Sequence, residues 1–322
     1  MKNVNIAFEK NAEKVATLVA EGYCPVECSF GNKNVVDDLL MDHHGKYSDL
    51  ESVAVRAYRD HFGVRAEDPR FVVNHIDADC IFAIASLAGL LPHPESKYAE
   101  MLPAFKQTAW KQNLLPLAET IAVIDTDPIG RDILSMPFGE VLICWDSLFG
   151  NGADDELAAI GAVRGWQILL TTPSAKTFLE AAKEAESSRR ELALADLHER
   201  GTKEGDVMVV RKSKVFGFAE WYDRKPEAGS ATDVNGWGNP IVISQTENGN
   251  LTFGLPNKTV AEQLFGEGGL LNVFAKLNNL FELADGSGFG GREAVGGSPR
   301  GRVMTEEEVE KIIEVVNASI TK

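Results

Sequence analysis

From the N-terminus to about residue 170, short apolar runs alternate with longer amphipathic stretches. The runs VVDDLLM (35–41), RFVVN (70–74), TIAVI (120–124) and EVLICW (140–145) predict strands. SDLESVAVRAYRDHF (48–62) and CIFAIASLAGLL (80–91) between them predict helices. Unbroken apolar strands separated by helices predict an α/β domain with a largely parallel sheet. Residues 174–200 carry the longest helical pattern, charged throughout, with Ser174 and Thr177 as candidate caps and Gly201 as its stop. That segment reads as a surface linker helix ending a first domain at 1–200.

After Gly205 the pattern changes. GDVMVV, KVFGFAEWY, NPIVISQ and LTFGLP predict strands, with a hairpin turn at Glu247-Asn-Gly-Asn250. Helices are expected over 259–265 and 270–283, then a glycine-rich loop over 286–302, then an acidic helix capped by Thr305. Residues 205–322 therefore read as a smaller, mixed α+β C-terminal domain.

Composition narrows the classes. The 322 residues are 44% hydrophobic and 25% charged, which excludes disordered and collagen-like chains. Lys+Arg number 32 against 48 Asp+Glu, a net charge of −16. Such a chain does not grip long nucleic acid through a broad basic face. Small phosphorylated molecules remain compatible, because bound cations and a few local arginines can supply a positive field. Cys24, Cys28, Cys80 and Cys144 are too few for a disulfide scaffold, and no second Cys/His pair completes a zinc site, so reduced thiols are expected. The N-terminal MKNVNIAFEKNAEK is charged throughout, and no apolar run approaches a spanning length. The expectation is a cytoplasmic protein without a membrane partner.

Candidate chemistry sits where the apolar runs end. The four are followed by Asp42-His43-His44, by His75-Ile-Asp77-Ala-Asp79, by Asp125-Thr-Asp127 and by Asp146. In an open parallel sheet the carboxyl ends of the strands line one crevice. Capping explains a single aspartate after a strand, but neither the histidines nor carboxylates at i and i+2. Carboxylates crowded within about 4–6 Å stay ionised together only if cations hold them. Mixed Asp and His donors suit manganese better than calcium, which prefers oxygen alone. His61, His93 and His198 read as structural or solvated residues.

His75-Ile-Asp77-Ala-Asp79, between an apolar strand and an apolar helix, resembles the HxDxD motif of the DHH phosphoesterase superfamily. Asp42-His43-His44 resembles the motif that names it, and Asp125 in AVIDTD is similar to its metal-bridging aspartate. Phe289-Gly290-Gly291-Arg292-Glu-Ala294-Val-Gly296 is similar to the glycine loop of the associated second domain, with Arg292 at the position of a histidine. The motif order is permuted, Asp-His-His preceding HxDxD.

The resemblance implies two manganese ions, with magnesium or cobalt as alternatives. His75 and Asp77 would bind one, His43 and Asp79 the other, and Asp125 would bridge. A further ligand would be Asp127 or Asp146, the shared turn with Asp125 favouring Asp127. His44 would polarise the phosphate, and Asp42 would orient His43. Gly290, Gly291, Arg292 and Arg300 would hold the substrate. The expected reaction is hydrolysis of a phosphodiester or phosphoanhydride bond in a small anionic substrate: a short oligonucleotide, cyclic dinucleotide, nucleoside bisphosphate or polyphosphate. The alternative is a non-catalytic protein that binds a phosphorylated metabolite on the same fold. A homodimer is compatible with the chain.

Overall fold

Phe71, Val72 and Val73 are fully buried because their strand is the centre of a parallel sheet. The structure is a computed structural model that describes residues 4–30, 33–34, 41–44, 47, 50–64, 69–126, 133–150, 155–172, 176–283, 288–299 and 302–321. It divides into two units, between residues 186 and 187 of one long helix.

The first unit contains β1 (Asn5–Phe8), β2 (Cys24–Pro25), β3 (Ser29–Phe30), β4 (Lys33–Asn34) and β5 (Arg70–Val73). Among the described residues, the sheet order is β1-β5-β2, both pairs parallel, and β3-β4 form a small antiparallel ribbon. Its helices are α1 (Ala12–Ala20), α2 (Val53–His61), α3 (Ala78–Leu87), α4 (Lys97–Glu100), α5 (Ala104–Trp110), α6 (Leu115–Thr126), α7 (Gly139–Trp145) and α8 (Glu156–Thr171), and α9 (Lys176–Arg200) begins in it. Helix α3 is buried from Asp79 to Leu87, which explains why its sequence after Asp79 is almost wholly apolar. The unit is α/β, as the pattern of runs predicts.

Two expected strands are helices. TIAVI (120–124) is the second half of α6, whose buried Leu117, Ala118, Thr120 and Ile121 follow helical spacing. The run is continuous with LPLAE before it, and twelve residues are a helix's length rather than a strand's. EVLICW (140–145) lies in α7 and buries its indole against another helix: Trp145 stacks on Trp166 at 4.7 Å and donates to the Ala162 carbonyl. The expected helix over 48–62 begins at Val53, after Ser52. Most of the run 35–41 lies outside the described residues.

The second unit holds the rest of α9 with β6 (Gly201–Glu204), β7 (Val207–Ser213), α10 (Phe218–Trp221), β8 (Val242–Thr246), β9 (Leu251–Gly254), α11 (Lys258–Phe265), α12 (Leu270–Leu280), β10 (Gly290–Gly291), β11 (Val295–Gly297) and α13 (Glu306–Ser319). The sheet order is β10-β11-β9-β8-β7-β6, antiparallel except for the β7-β8 pair. It has its own core, separate from that of the first unit. The turn at 247–250 joins β8 to β9, and Gly249 takes φ +78°, a conformation that glycine alone adopts at no steric cost. Thr305 caps α13 in a reciprocal capping box with Glu308. KVFGFAEWY corrects to a helical turn, because Phe218, Trp221 and Tyr222 bury at i, i+3 and i+4. Among the described residues no helix is long and apolar enough to cross a membrane.

Candidate metal centre

Strands β2 and β5 run parallel, so the residues following them emerge at the same sheet edge. Val26 N–H donates to the Val72 carbonyl, and the chain then turns at Glu27 with φ +52°. A left-handed glutamate is strained by roughly 1–3 kcal/mol and persists only where its surroundings hold it. Here Glu27 N–H donates to the Met41 carbonyl at 2.7 Å, tying the turn to the residue before Asp42.

After β5, buried Asn74 donates through Nδ2 to the Ser29 carbonyl at 2.7 Å. That bond fixes which end of the amide is oxygen. Asn74 Oδ1 therefore accepts, and His75 Nδ1, 2.5 Å away, donates. A neutral His75 ring then carries its lone pair on Nε2, which faces Asp77 Oδ2 at 2.9 Å and Glu27 Oε2 at 3.9 Å. Asp77 also caps α3, accepting from Cys80 N–H at 2.8 Å. Desolvation works to raise the Asp77 pKa, but in the metal-free centre the charge and the Nε2–H bond of an imidazolium at His75, then the Cys80 N–H and the charge of His44, together hold the group at about 2.

Asp79, in the first turn of α3, engages the start of α2 instead. Ser52 Oγ donates to it, as do the backbone N–H groups of Ala54 and Val53, at 2.9 and 3.3 Å. Burial first and the charge on Asp77 second push Asp79 up to about 6, against these three donors.

Around His43 Nε2 stand three carboxylate oxygens from separate segments: Glu27 Oε1 at 2.7 Å, Asp79 Oδ2 at 3.3 Å and Asp125 Oδ2 at 3.4 Å. Asp125 arrives from the last turn of α6, not from a strand end. Asp42 Oδ1 accepts from His44 N–H at 2.9 Å and lies 3.1 Å from His44 Nδ1, so it orients His44. The Asp42 carbonyl accepts from the buried Arg56 guanidinium at 2.7 Å.

Three sets of donor atoms each converge within 4.8 Å: Glu27 with His75 and Asp77, His43 with Asp79 and Asp125, and Glu27 with His43 and His44. The fit to divalent cations is testable on Glu27. It is 1% exposed, neither carboxylate oxygen accepts a hydrogen bond from the described residues, and burial, then Asp79, Asp77, Asp125 and Asp42, drives its pKa far above the ordinary range. A buried carboxylate without donors among four others is a costly arrangement unless cations balance it. Donors of this mixed His/carboxylate type match manganese-like ions.

The structure thus brings together His43, His44, Asp42, His75, Asp77, Asp79 and Asp125. Asp146 is exposed at the end of α7 and joins none of these sets. Asp127 and Arg300 lie outside the described residues. In the second unit, Gly290 and Gly291 form β10, paired with β11, and Arg292 N–H closes that hairpin on the Val295 carbonyl. Arg302, two residues after Arg300 in the sequence, is engaged by Glu308 and lies over the Phe281 ring. Sequence reasoning missed Glu27, Asn74 and Ser52. The available signal for Glu27 was one acid inside the otherwise uncharged YCPVECSF.

No protein-family model matches the chain, and no curated protein matches it. Among solved structures, it is similar to PggH, a pGpG-specific phosphodiesterase from Vibrio cholerae, at 14% identity. That likeness covers 64% of this chain and 67% of the other, with a TM-score of 0.33.

Proposed function

We propose that the chain is a metal-dependent phosphoesterase of the DHH type, hydrolysing a phosphodiester or phosphoanhydride bond in a small anionic substrate. The observation that carries this reading is the buried Glu27 carboxylate, which accepts no hydrogen bond from the described residues and belongs to two of the three His/carboxylate sets. His75 and Asp77 would hold one cation, and His43, Asp79 and Asp125 the other, manganese fitting the donors best. When bound, such a pair polarises a phosphoryl oxygen and makes water nucleophilic near neutral pH.

The chain's own side chains supply orientation and proton handling. Asn74 holds His75 in the Nδ1–H tautomer, and Ser52 with the α2 N–H groups holds Asp79 in place. His44, a third exposed and oriented by Asp42, is the group of the centre suited to exchange a proton with a solvent-side oxygen. Gly290 and Gly291, without side chains, would let phosphate approach the hairpin, and the Arg292 guanidinium would grip it bidentately.

The test is hydrolysis of a panel of nucleotide phosphodiesters and polyphosphate by metal-stripped protein, with and without Mn²⁺, beside Asp77→Asn. Metal-dependent turnover that vanishes in the folded variant supports the reading. Metal uptake without turnover on any member of the panel favours the non-catalytic binding protein. No metal uptake overturns both.

A further inference from the structure

We infer that Glu27 is the bridge between the two cation sites, one carboxylate oxygen serving each. The inference deepens the two-cation reading above and rests on it. Oε1 stands 2.7 Å from His43 Nε2 and 3.7 Å from His44 Nδ1, whereas Oε2 stands 3.9 Å from His75 Nε2. The two oxygens of one side chain thus face histidines of two different donor sets. A terminal ligand would engage a single cation and leave its second oxygen to accept hydrogen bonds. Neither Glu27 oxygen accepts one from the described residues, and both are buried.

The backbone supports the same role. On one side the turn is tied to β5, the strand that delivers His75 and Asp77, through Val26 N–H and the Val72 carbonyl. On the other it is tied to the segment that delivers His43, through Glu27 N–H and the Met41 carbonyl. Glu27 is therefore anchored to both ligand-bearing segments at once, and its left-handed φ of +52° is the strain expected of a residue placed by function. Asp125, by contrast, belongs only to the His43 set among the described residues.

A shared carboxylate couples the two sites. The first ion fixes the side chain that the second requires, and each ion screens the other's charge through one anionic bridge. Glu27→Gln keeps the size of the side chain and replaces one ligating oxygen by an amide nitrogen that has no lone pair to offer. Glu27→Asp keeps the charge and withdraws the carboxylate by one methylene, so that it no longer reaches both sites.

The experiment titrates metal-stripped full-length protein with Mn²⁺ by calorimetry, and records the electron paramagnetic resonance spectrum of the loaded protein. Wild type, Glu27→Gln, Glu27→Asp and Asp125→Asn are compared, with circular dichroism as the check on folding. Wild type is expected to take up two ions and give the exchange-coupled spectrum of a bridged pair. Both Glu27 variants are expected to lose that coupling, and to weaken uptake of the second ion by more than the roughly 10–100-fold typical of an outer-shell change. Asp125→Asn is expected to keep the ion of the His75 set. A folded Glu27→Gln that binds two ions with unchanged affinity and unchanged coupling overturns the bridge and leaves the two-cation reading intact. A wild type that binds no pair overturns the reading, and the bridge with it.

Discussion

Ser52 donates its hydroxyl to the carboxylate of Asp79, 27 positions further along the chain. The same carboxylate accepts the N–H groups of Ala54 and Val53, so Asp79 of α3 caps the N-terminus of α2. One oxygen pair therefore completes a helix end and faces His43 Nε2. Helix termini carry donors without intrahelical partners, and a carboxylate satisfies them while opposing the positive end of the dipole.

That double engagement separates Asp79 from Asp125. In metal-free protein, Asp79→Ala should cost about 1–3 kcal/mol, the range for removing a cap and stranding buried donors. Asp125→Ala should cost much less, since it relieves repulsion in the acidic cluster. Both variants should lose Mn²⁺ binding. Urea denaturation of the stripped variants checks this, and equal losses of stability would contradict the division of roles.

The stability of the metal-free protein should depend on pH in a set direction. Glu27 and Asp79 have pKa values raised in the folded state, the latter to about 6, so the folded chain binds protons that the unfolded chain does not. Their stabilising effect is complete below the unfolded carboxylate range near 4 and is lost as pH rises through 6 and beyond. Asp77, held at about 2, works oppositely and withdraws stability only as pH falls below 4. Metal-stripped protein should accordingly melt higher at pH 5 than at pH 7. Mn²⁺ should reverse the order, because protons compete with the cation for the same oxygens. A stripped protein that melts higher at pH 7 would refute the ionisation pattern.

Among the described residues, Asn74 reaches the centre through His75. Asn74→Ala should leave the His75 tautomer unset and raise the Kd for Mn²⁺ by about 10–100-fold, as outer-shell changes do. Calorimetric titration beside a melting curve distinguishes this from a general loss of fold. An unchanged Kd would show that the ring is oriented by other contacts.

Arg292 should act on substrate binding rather than on the chemical step. Arg292→Ala is expected to raise KM by about tenfold or more, the magnitude of one charge-assisted hydrogen bond, with kcat nearly constant. Steady-state kinetics with the best substrate of the panel decides it, and a fall in kcat at constant KM would remove the loop from substrate binding.

The sequence by itself determined the fold class of the molecule and pointed to several of the side chains that the structure brings together. Apolar β5 followed at once by His75, Asp77 and Asp79 is a local pattern, and local patterns survive folding because strand, cap and first helical turn form from neighbouring residues. The Asp-His-His motif and Asp125 were legible as chemistry for the same reason, though Asp125 arrives on a helix: a short β-branched run such as TIAVI is compatible with either element until its packing partners are known. Only the tertiary structure decided that Glu27 joins them. Its left-handed turn is maintained by hydrogen bonds to Val72 and Met41 on its flanks, contacts between segments far apart in the chain. Asn74 and Ser52 were likewise invisible, since a side chain that orients a ligand is defined by what it touches across space, and no period or spacing records that contact.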